Sequence, residues 1–165
     1  MAEIFTHVVA GFVIAVVLSW KYQWITPPLI PVAMVGAAIP DLNRISLLVE
    51  AEAIEALFGI PWSWSVVHRA GGALVICVLF SLLVPREYLK SVLVMLLIGV
   101  TSHFVIDYFL WQASGTTNLM LWPFLDIELG YGGFYRSSDR WTAVVSLVVA
   151  GIVLVVDRWH FAQSD

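Results

Sequence analysis

Residues 89–111 read LKSVLVMLLIGVTSHFVIDYFLW. Only Lys90 and Asp107 carry a full charge in this segment, which is longer than the roughly 20 mostly apolar residues that a helix needs to cross a bilayer. His103 and Asp107 lie four residues apart, so a helix presents both side chains on one face. The segment therefore predicts a membrane-spanning helix with a polar site in its last third.

The composition of the whole chain supports this interpretation. Of its 165 residues, 61% are apolar and 12% are charged, and the mean hydropathy is +0.92. Soluble proteins average about 45–50% apolar and about 25% charged residues. These values exclude a disordered chain and a water-soluble enzyme, and a net charge of −4 argues against binding to nucleic acid. We predict one integral membrane domain over residues 1–165, with membrane lipid as its surroundings.

Charge-poor stretches predict the positions of the membrane spans. Four are long, at residues 4–20, 68–84, 89–111 and 141–156, and a shorter one covers residues 28–39. All eight tryptophans fall at or beyond the ends of these stretches, as expected for rings that prefer the headgroup layer. The sequence predicts an all-α, helical membrane bundle of about five spans, the second of them short.

Two connecting segments have distinct compositions. Residues 45–58 are rich in leucine, alanine and glutamate, which favours a helix at the membrane interface. Residues 118–140 are polar and glycine-rich, which predicts an irregular loop between spans four and five. Cys77, the single cysteine, lies in an apolar run and is interpreted as a small buried hydrophobic residue.

Five alternating crossings place the rare ionisable residues of the spans at one end of the bundle. These residues are His7, Asp41, His68, His103 and Asp107. Ionisable groups inside a membrane are costly and are therefore candidates for function. The opposite halves of the spans carry nothing comparable, so the sequence predicts a pocket rather than a pathway through the membrane.

Each of these residues also has a purely structural interpretation. His7 can be an interfacial histidine, and Asp41 can cap a helix that begins two residues later. His68 can anchor its segment at the interface, together with the arginine that follows it. His103 and Asp107 can form a satisfied buried pair.

Considered together, three imidazoles and two carboxylates suit a divalent first-row metal. Zinc is the expected ion, with manganese and iron as alternatives. Three glycines lie one helical turn from a histidine, where they let helices approach closely: Gly11, Gly72 and Gly99. The sequence therefore predicts a metal site formed where several helices meet.

Several short motifs occur in a familiar order. They are Thr6-His7 followed by Gly11, Ile39-Pro40-Asp41-Leu42-Asn43, His68-Arg69, Ser102-His103 followed by Asp107, and Trp122-Pro123-Phe124. In this order the chain resembles the membrane-bound metal-dependent hydrolases, a family that includes a LexA-regulated bacterial inner-membrane protein. It is similar, more distantly, to zinc-dependent phospholipases C. The resemblance implies a metal site at His7, Asp41, His68, His103 and Asp107.

The chain departs from this family at two positions. Asn43 stands where the family commonly has a second aspartate, and Ala73 stands where it often has a further histidine. An asparagine still offers a carbonyl oxygen, whereas alanine cannot bind a metal. The departures imply fewer metal ions, weaker binding or lost catalysis.

The leading functional hypothesis is a hydrolase in which the metal activates water to attack a phosphoester or a lipid-linked substrate. Asp41 or Asp107, whichever is not a ligand, serves as general base. Three arginines at the same end can hold a phosphate, or can simply contact headgroups: Arg69, Arg136 and Arg140.

Two other classes of function stay open. One is a membrane scaffold or metal-binding sensor with a vestigial site, which Ala73 favours. The other is a transporter or proton relay that uses His103 and Asp107. It is disfavoured because the opposite halves of the spans carry no comparable ionisable residues.

Overall fold

The computed structural model describes residues 2–111, 120–127 and 133–162. Within these ranges the chain is all-α. Its α-helices are α1 (Ala2–Ser19), α2 (Ile30–Ala38), α3 (Ala51–Phe58), α4 (Ala70–Ser81), α5 (Arg86–Tyr108) and α6 (Trp141–Ala162). Short 3-10 helices cover Pro27–Leu29, Pro40–Leu47 and Trp64–Val66.

Helix α2 packs between α1 and α5, while α6 lies against α1 and α4 lies against α5. Small residues make the central packing close. A methyl group on Gly11 would lie 2.9 Å from the carbonyl oxygen of Ala33, and one on Gly99 would overlap that same oxygen. Because α1 and α5 both approach the backbone of α2, the three helices can bring side chains to a common point.

In the part of the chain that the structure describes, two helices are long and apolar enough to cross a membrane, α5 and residues Trp141–Trp159 of α6. Only 11% of the apolar window of α6 is buried inside the protein, and its outer face exposes many valines and leucines. Such a face is expected where the surrounding solvent is lipid. The all-α prediction is confirmed, and the number of five spans stays a prediction.

The helix predicted over residues 45–58 is confirmed only over Ala51–Phe58. The 3-10 helix Pro40–Leu47 ends first, Glu50 is extended, and α3 begins at Ala51. The indole of Trp64 donates a hydrogen bond to the carbonyl of Val49 at the break, 2.9 Å away. Gly59 then ends α3 in the left-handed conformation that favours glycine.

The connection after α5 docks onto the N-terminus of α4. The amides of Ala70 and Gly71 donate to the carbonyls of Met120 and Trp122, at 2.8 and 2.9 Å. These bonds satisfy amides that a helix N-terminus leaves free. Residues 112–119 and 128–132 of the predicted loop lie outside the described residues.

Candidate metal centre

Asp107 lies at the centre of the candidate site. Its Oδ1 is 3.1 Å from Nε2 of His7, and its Oδ2 is 3.0 Å from Nε2 of His68 and 3.1 Å from Nε2 of His103. His7 and His103 are 1% and 0% exposed, and their rings stack at 3.8 Å. Three imidazoles therefore meet one carboxylate, two of them fully buried and the third, of His68, partly exposed.

These side chains come from three separate parts of the chain. His7 lies on α1, while His103 and Asp107 lie one turn apart on α5. His68 lies in the turn before α4, two residues upstream of its first residue, Ala70.

The orientation of His103 is fixed by α2. Its Nδ1 lies 2.8 Å from the carbonyl oxygen of Ala37. Because a carbonyl oxygen can only accept, Nδ1 is protonated and donates a hydrogen bond to it. Nε2 of the neutral ring then presents a lone pair toward Asp107 and toward Nε2 of His68, which is 3.2 Å away. A lone pair and a carboxylate oxygen repel each other unless a cation, either a proton or a metal ion, lies between them.

The spacing of these atoms fits a metal ion. Ligand atoms that surround one ion at about 2.1 Å lie roughly 3.0–3.4 Å from one another in octahedral or tetrahedral geometry. The contacts among Asp107, His7, His68 and His103 span 3.0–3.2 Å. The donation from His103 to a backbone carbonyl is also the support that metal-binding histidines usually have.

Asp41 forms a second candidate group with His68 and His103. One ligand atom of each of these three residues lies within 4.8 Å of the other two. Asp41 Oδ1 accepts a hydrogen bond from Nε of Arg44 at 2.9 Å, while its Oδ2 is buried and has no hydrogen-bond partner among the described residues. The alternative that Asp41 caps a helix is wrong, because Pro40 already starts the 3-10 helix and no cap bond forms.

Further buried polar atoms lack a hydrogen-bond partner in the part of the chain that the structure describes. They include Nδ1 of His7 and Oδ1 of Asn43. A buried polar atom without a partner is costly and often marks the place of a water or an ion. Ala73, the other departure from the resembled family, is fully buried and contributes only to packing.

The three predicted arginines differ in position. Arg69 is adjacent to His68 in the chain, and its guanidinium lies over the ring of Trp122, 5.7 Å from the centroid. Arg136 lies over Trp111 at 5.1 Å. Within the described ranges, no contact joins Arg136 or Arg140 to the histidines.

Sequence reasoning missed three contributors to the site. Arg44 pairs with Asp41 at i, i+3 spacing, a signal that was present in the sequence. The carbonyl of Ala37 left no signal, because every residue has one. Phe104 packs beside two imidazoles, its ring centroid 6.1 Å from that of His68 and 5.8 Å from that of His103.

Comparisons with known proteins place the chain in a family without naming a reaction. No curated protein and no solved structure matches it. The YdjM inner membrane protein family matches residues 1–163, and its description states a location in the inner membrane. The predicted membrane location is thereby confirmed, and metal-dependent hydrolysis stays a prediction. The chain belongs to the YdjM inner membrane protein family.

Proposed function

We propose that this protein is a membrane-embedded, metal-dependent hydrolase that cleaves a phosphoester or lipid-linked substrate at the membrane interface. One observation carries the proposal: the Nε2 atoms of His7, His68 and His103 all lie within 3.1 Å of the carboxylate of Asp107. Such a cluster is expensive to bury in a membrane protein unless a cation compensates it.

The four residues of this cluster would hold one divalent ion, most simply zinc, with manganese or iron as alternatives. When bound, the ion supplies Lewis-acid polarisation of the substrate and an acidified water. Asp107 contacts three histidines at once and is therefore assigned as a ligand rather than a base.

Asp41 is assigned as the general base. Its Oδ1 is held by Arg44, which leaves Oδ2, buried and without a hydrogen-bond partner among the described residues, to accept a proton from water. Its distance from the histidines is also suitable, since Asp41, His68 and His103 form a group within 4.8 Å. Arg69, next to His68, would hold the phosphate of the substrate.

Metal content tests the ligand assignment. The purified protein should contain a near-stoichiometric divalent metal by mass spectrometry, and His103→Ala and Asp107→Asn should lose it. Asp126→Asn makes the same change at an exposed carboxylate outside the cluster and should retain the metal. Unchanged stoichiometry in His103→Ala and Asp107→Asn would sink the metal assignment.

Turnover tests the reaction class. The metal-loaded protein should hydrolyse at least one member of a panel of lipid phosphates, phospholipids and soluble phosphoesters, and Asp41→Asn should lose that activity while retaining metal. Metal binding with no turnover on the whole panel would instead support a second candidate, a metal-binding scaffold or sensor. Asn43 and Ala73, where the resembled family has potential ligands, favour that candidate.

A further inference from the structure

A large apolar groove lies between α4 and α5, beneath the segment that follows α5. Its volume is about 490 Å³, within the range of roughly 300–1,000 Å³ that is typical of ligand pockets. Leu74 lies on its α4 side, Leu97 and Val105 on its α5 side, and Leu121 and Phe124 come from the covering segment. The groove is separate from the polar cluster but lies next to it.

The walls of this groove offer almost no polar group to a ligand. Among its lining residues only Thr101 and Tyr108 carry a side-chain oxygen, and the hydroxyl of Thr101 already donates to the carbonyl of Leu97 at 2.8 Å. Tyr108 is the last residue of α5, at the end where the covering segment lies. A hydrocarbon is therefore the chemistry that the groove fits.

The groove adjoins the candidate metal centre through Phe104 and Ala70. Phe104 lines the groove, and its ring packs against those of His68 and His103. Ala70, two residues after His68, also lines the groove. In the chain, Arg69 therefore lies between a histidine of the cluster and a residue of the groove. An apolar ligand in the groove would thus place a polar head beside a guanidinium and three imidazoles.

The length and the opening of the groove suit a lipid chain. Its lining on α5 runs from Leu97 to Tyr108, eleven steps that cover roughly 16 Å at 1.5 Å per residue. This is about half of a hydrocarbon core of roughly 30 Å, the depth of one leaflet. Val105 is 55% exposed toward the surroundings of α5, so a chain can enter sideways from the bilayer.

We infer that this groove binds one acyl chain of a membrane phospholipid or lipid phosphate, with the phosphate of that lipid beside Arg69 and His68. The inference rests on the proposed function in one respect, because it makes this lipid the substrate that the metal centre cleaves. Binding in the groove can nevertheless be measured without metal and without turnover.

The experiment is photo-crosslinking in nanodiscs of phosphatidylcholine that contain a phosphatidate with a diazirine on one acyl chain. Crosslinked peptides are mapped by mass spectrometry. We expect labelling concentrated on α4 and α5 at the groove, and reduced by about tenfold in Val105→Trp, which fills the groove. Val148→Trp, at a 57% exposed position of α6, is the matched control and should label like the wild type.

Two outcomes would overturn the inference: labelling spread evenly over the apolar faces, α6 included, or labelling unchanged in Val105→Trp. Either would mean that the probe labels the protein only as surrounding bilayer lipid. Val105→Phe is the second filling variant if the tryptophan impairs folding, which size-exclusion chromatography reports. His103→Ala separates the two proposals, because groove labelling should persist in it. Labelling without hydrolysis of the probe by the metal-loaded wild type would refute the assignment of this lipid as substrate and keep the groove, while the hydrolase itself is tested by the whole panel.

Discussion

The Nδ1 of His103 lies 2.8 Å from the carbonyl oxygen of Ala37, a residue at the C-terminal end of the helix that packs between α1 and α5. This bond ties the packing of α2 to the chemistry of the cluster, since it turns the Nε2 of His103 toward Asp107. The backbone that fills the centre of the bundle therefore also orients a candidate metal ligand.

Metal removal should lower the stability of the wild-type protein. A ligand at about 100 times its Kd stabilises a fold by roughly 2.7 kcal/mol, which corresponds to a Tm change of about 5–10 °C for a chain of this size. We expect a chelator to lower Tm by that amount in the wild type and to leave Asp107→Asn unchanged. Equal Tm values with and without chelator in the wild type would contradict a tightly held ion.

Gly99→Ala should disturb both the packing and the site. The added methyl would overlap the carbonyl of Ala33 and lie 2.5 Å from the amide nitrogen of Ala37, so α2 and α5 must separate. Overpacking of this kind costs about 1–3 kcal/mol, and we expect a lower Tm together with weaker metal retention.

Gly151→Ala is the matched control for that change. Gly151 lies in α6, and apart from its chain neighbours and the backbone of its own helix no atom lies within 4 Å of the position of its missing methyl. Alanine there should be neutral or should stabilise the helix by about 0.5–1 kcal/mol. If both variants behave alike, close packing at Gly99 does not position the site.

The polar cluster could be predicted from the sequence because its members are rare in apolar helices. His103 and Asp107 share a helix face by spacing alone, and the alternation of spans puts His7 at the same end. The histidines meet at the carboxylate of Asp107 because α1, α2 and α5 approach one another closely. The positions of the glycines indicated this approach only indirectly.

Other features depend on contacts between residues distant in sequence. The break before α3 coincides with a hydrogen bond from Trp64 to the carbonyl of Val49, fifteen positions away. At the start of α4, the amides of Ala70 and Gly71 bind the carbonyls of Met120 and Trp122, which come from the segment after α5. Helix-forming composition at residues 45–58 is a local signal, which located α3 but not the break before it.

Arg44→Gln should lower turnover without removing metal. Arg44 donates to Oδ1 of Asp41 at 2.9 Å, and its loss frees the carboxylate to turn away from the cluster. We expect a fall in kcat of about tenfold or more, because positioned general bases contribute roughly 100-fold or more. Since Arg44 is about one-third exposed, the free energy of unfolding should change by no more than about 1 kcal/mol.

Metal content and turnover are compared with those of Arg86→Gln, a change to an exposed arginine at the start of α5. An Arg44→Gln protein with full activity would show that Asp41 needs no such support.

Trp20→Phe should lower stability and leave the site intact. The indole of Trp20 donates to Oδ1 of Asp157 at 2.7 Å, which joins the C-terminal end of α6 to the end of α1 opposite His7. Hydrogen bonds to a charged group contribute about 1.5–3 kcal/mol, so Tm should fall while metal content stays at the wild-type value. Trp24→Phe, at an exposed tryptophan, is the control. Metal loss in Trp20→Phe but not in Trp24→Phe would contradict the prediction and mean that the site depends on the packing of the whole bundle.

Arg69→Gln should weaken substrate binding more than Arg136→Gln. Both guanidiniums lie over a tryptophan ring, at 5.7 and 5.1 Å, but only Arg69 adjoins a histidine of the cluster. Loss of a charged, paired hydrogen bond to phosphate should lower kcat/KM by about 10- to 100-fold in Arg69→Gln and by little in Arg136→Gln.

Arg69→Lys should recover only part of that loss, because lysine keeps the charge and loses the planar pair of donors. Steady-state kinetics on the best lipid phosphate of the panel give these ratios, and metal content confirms that each variant keeps its ion. Equal effects of the two glutamine variants would contradict a role of Arg69 in substrate binding. Its guanidinium would then contact headgroups and, over Trp122, hold the covering segment at the interface.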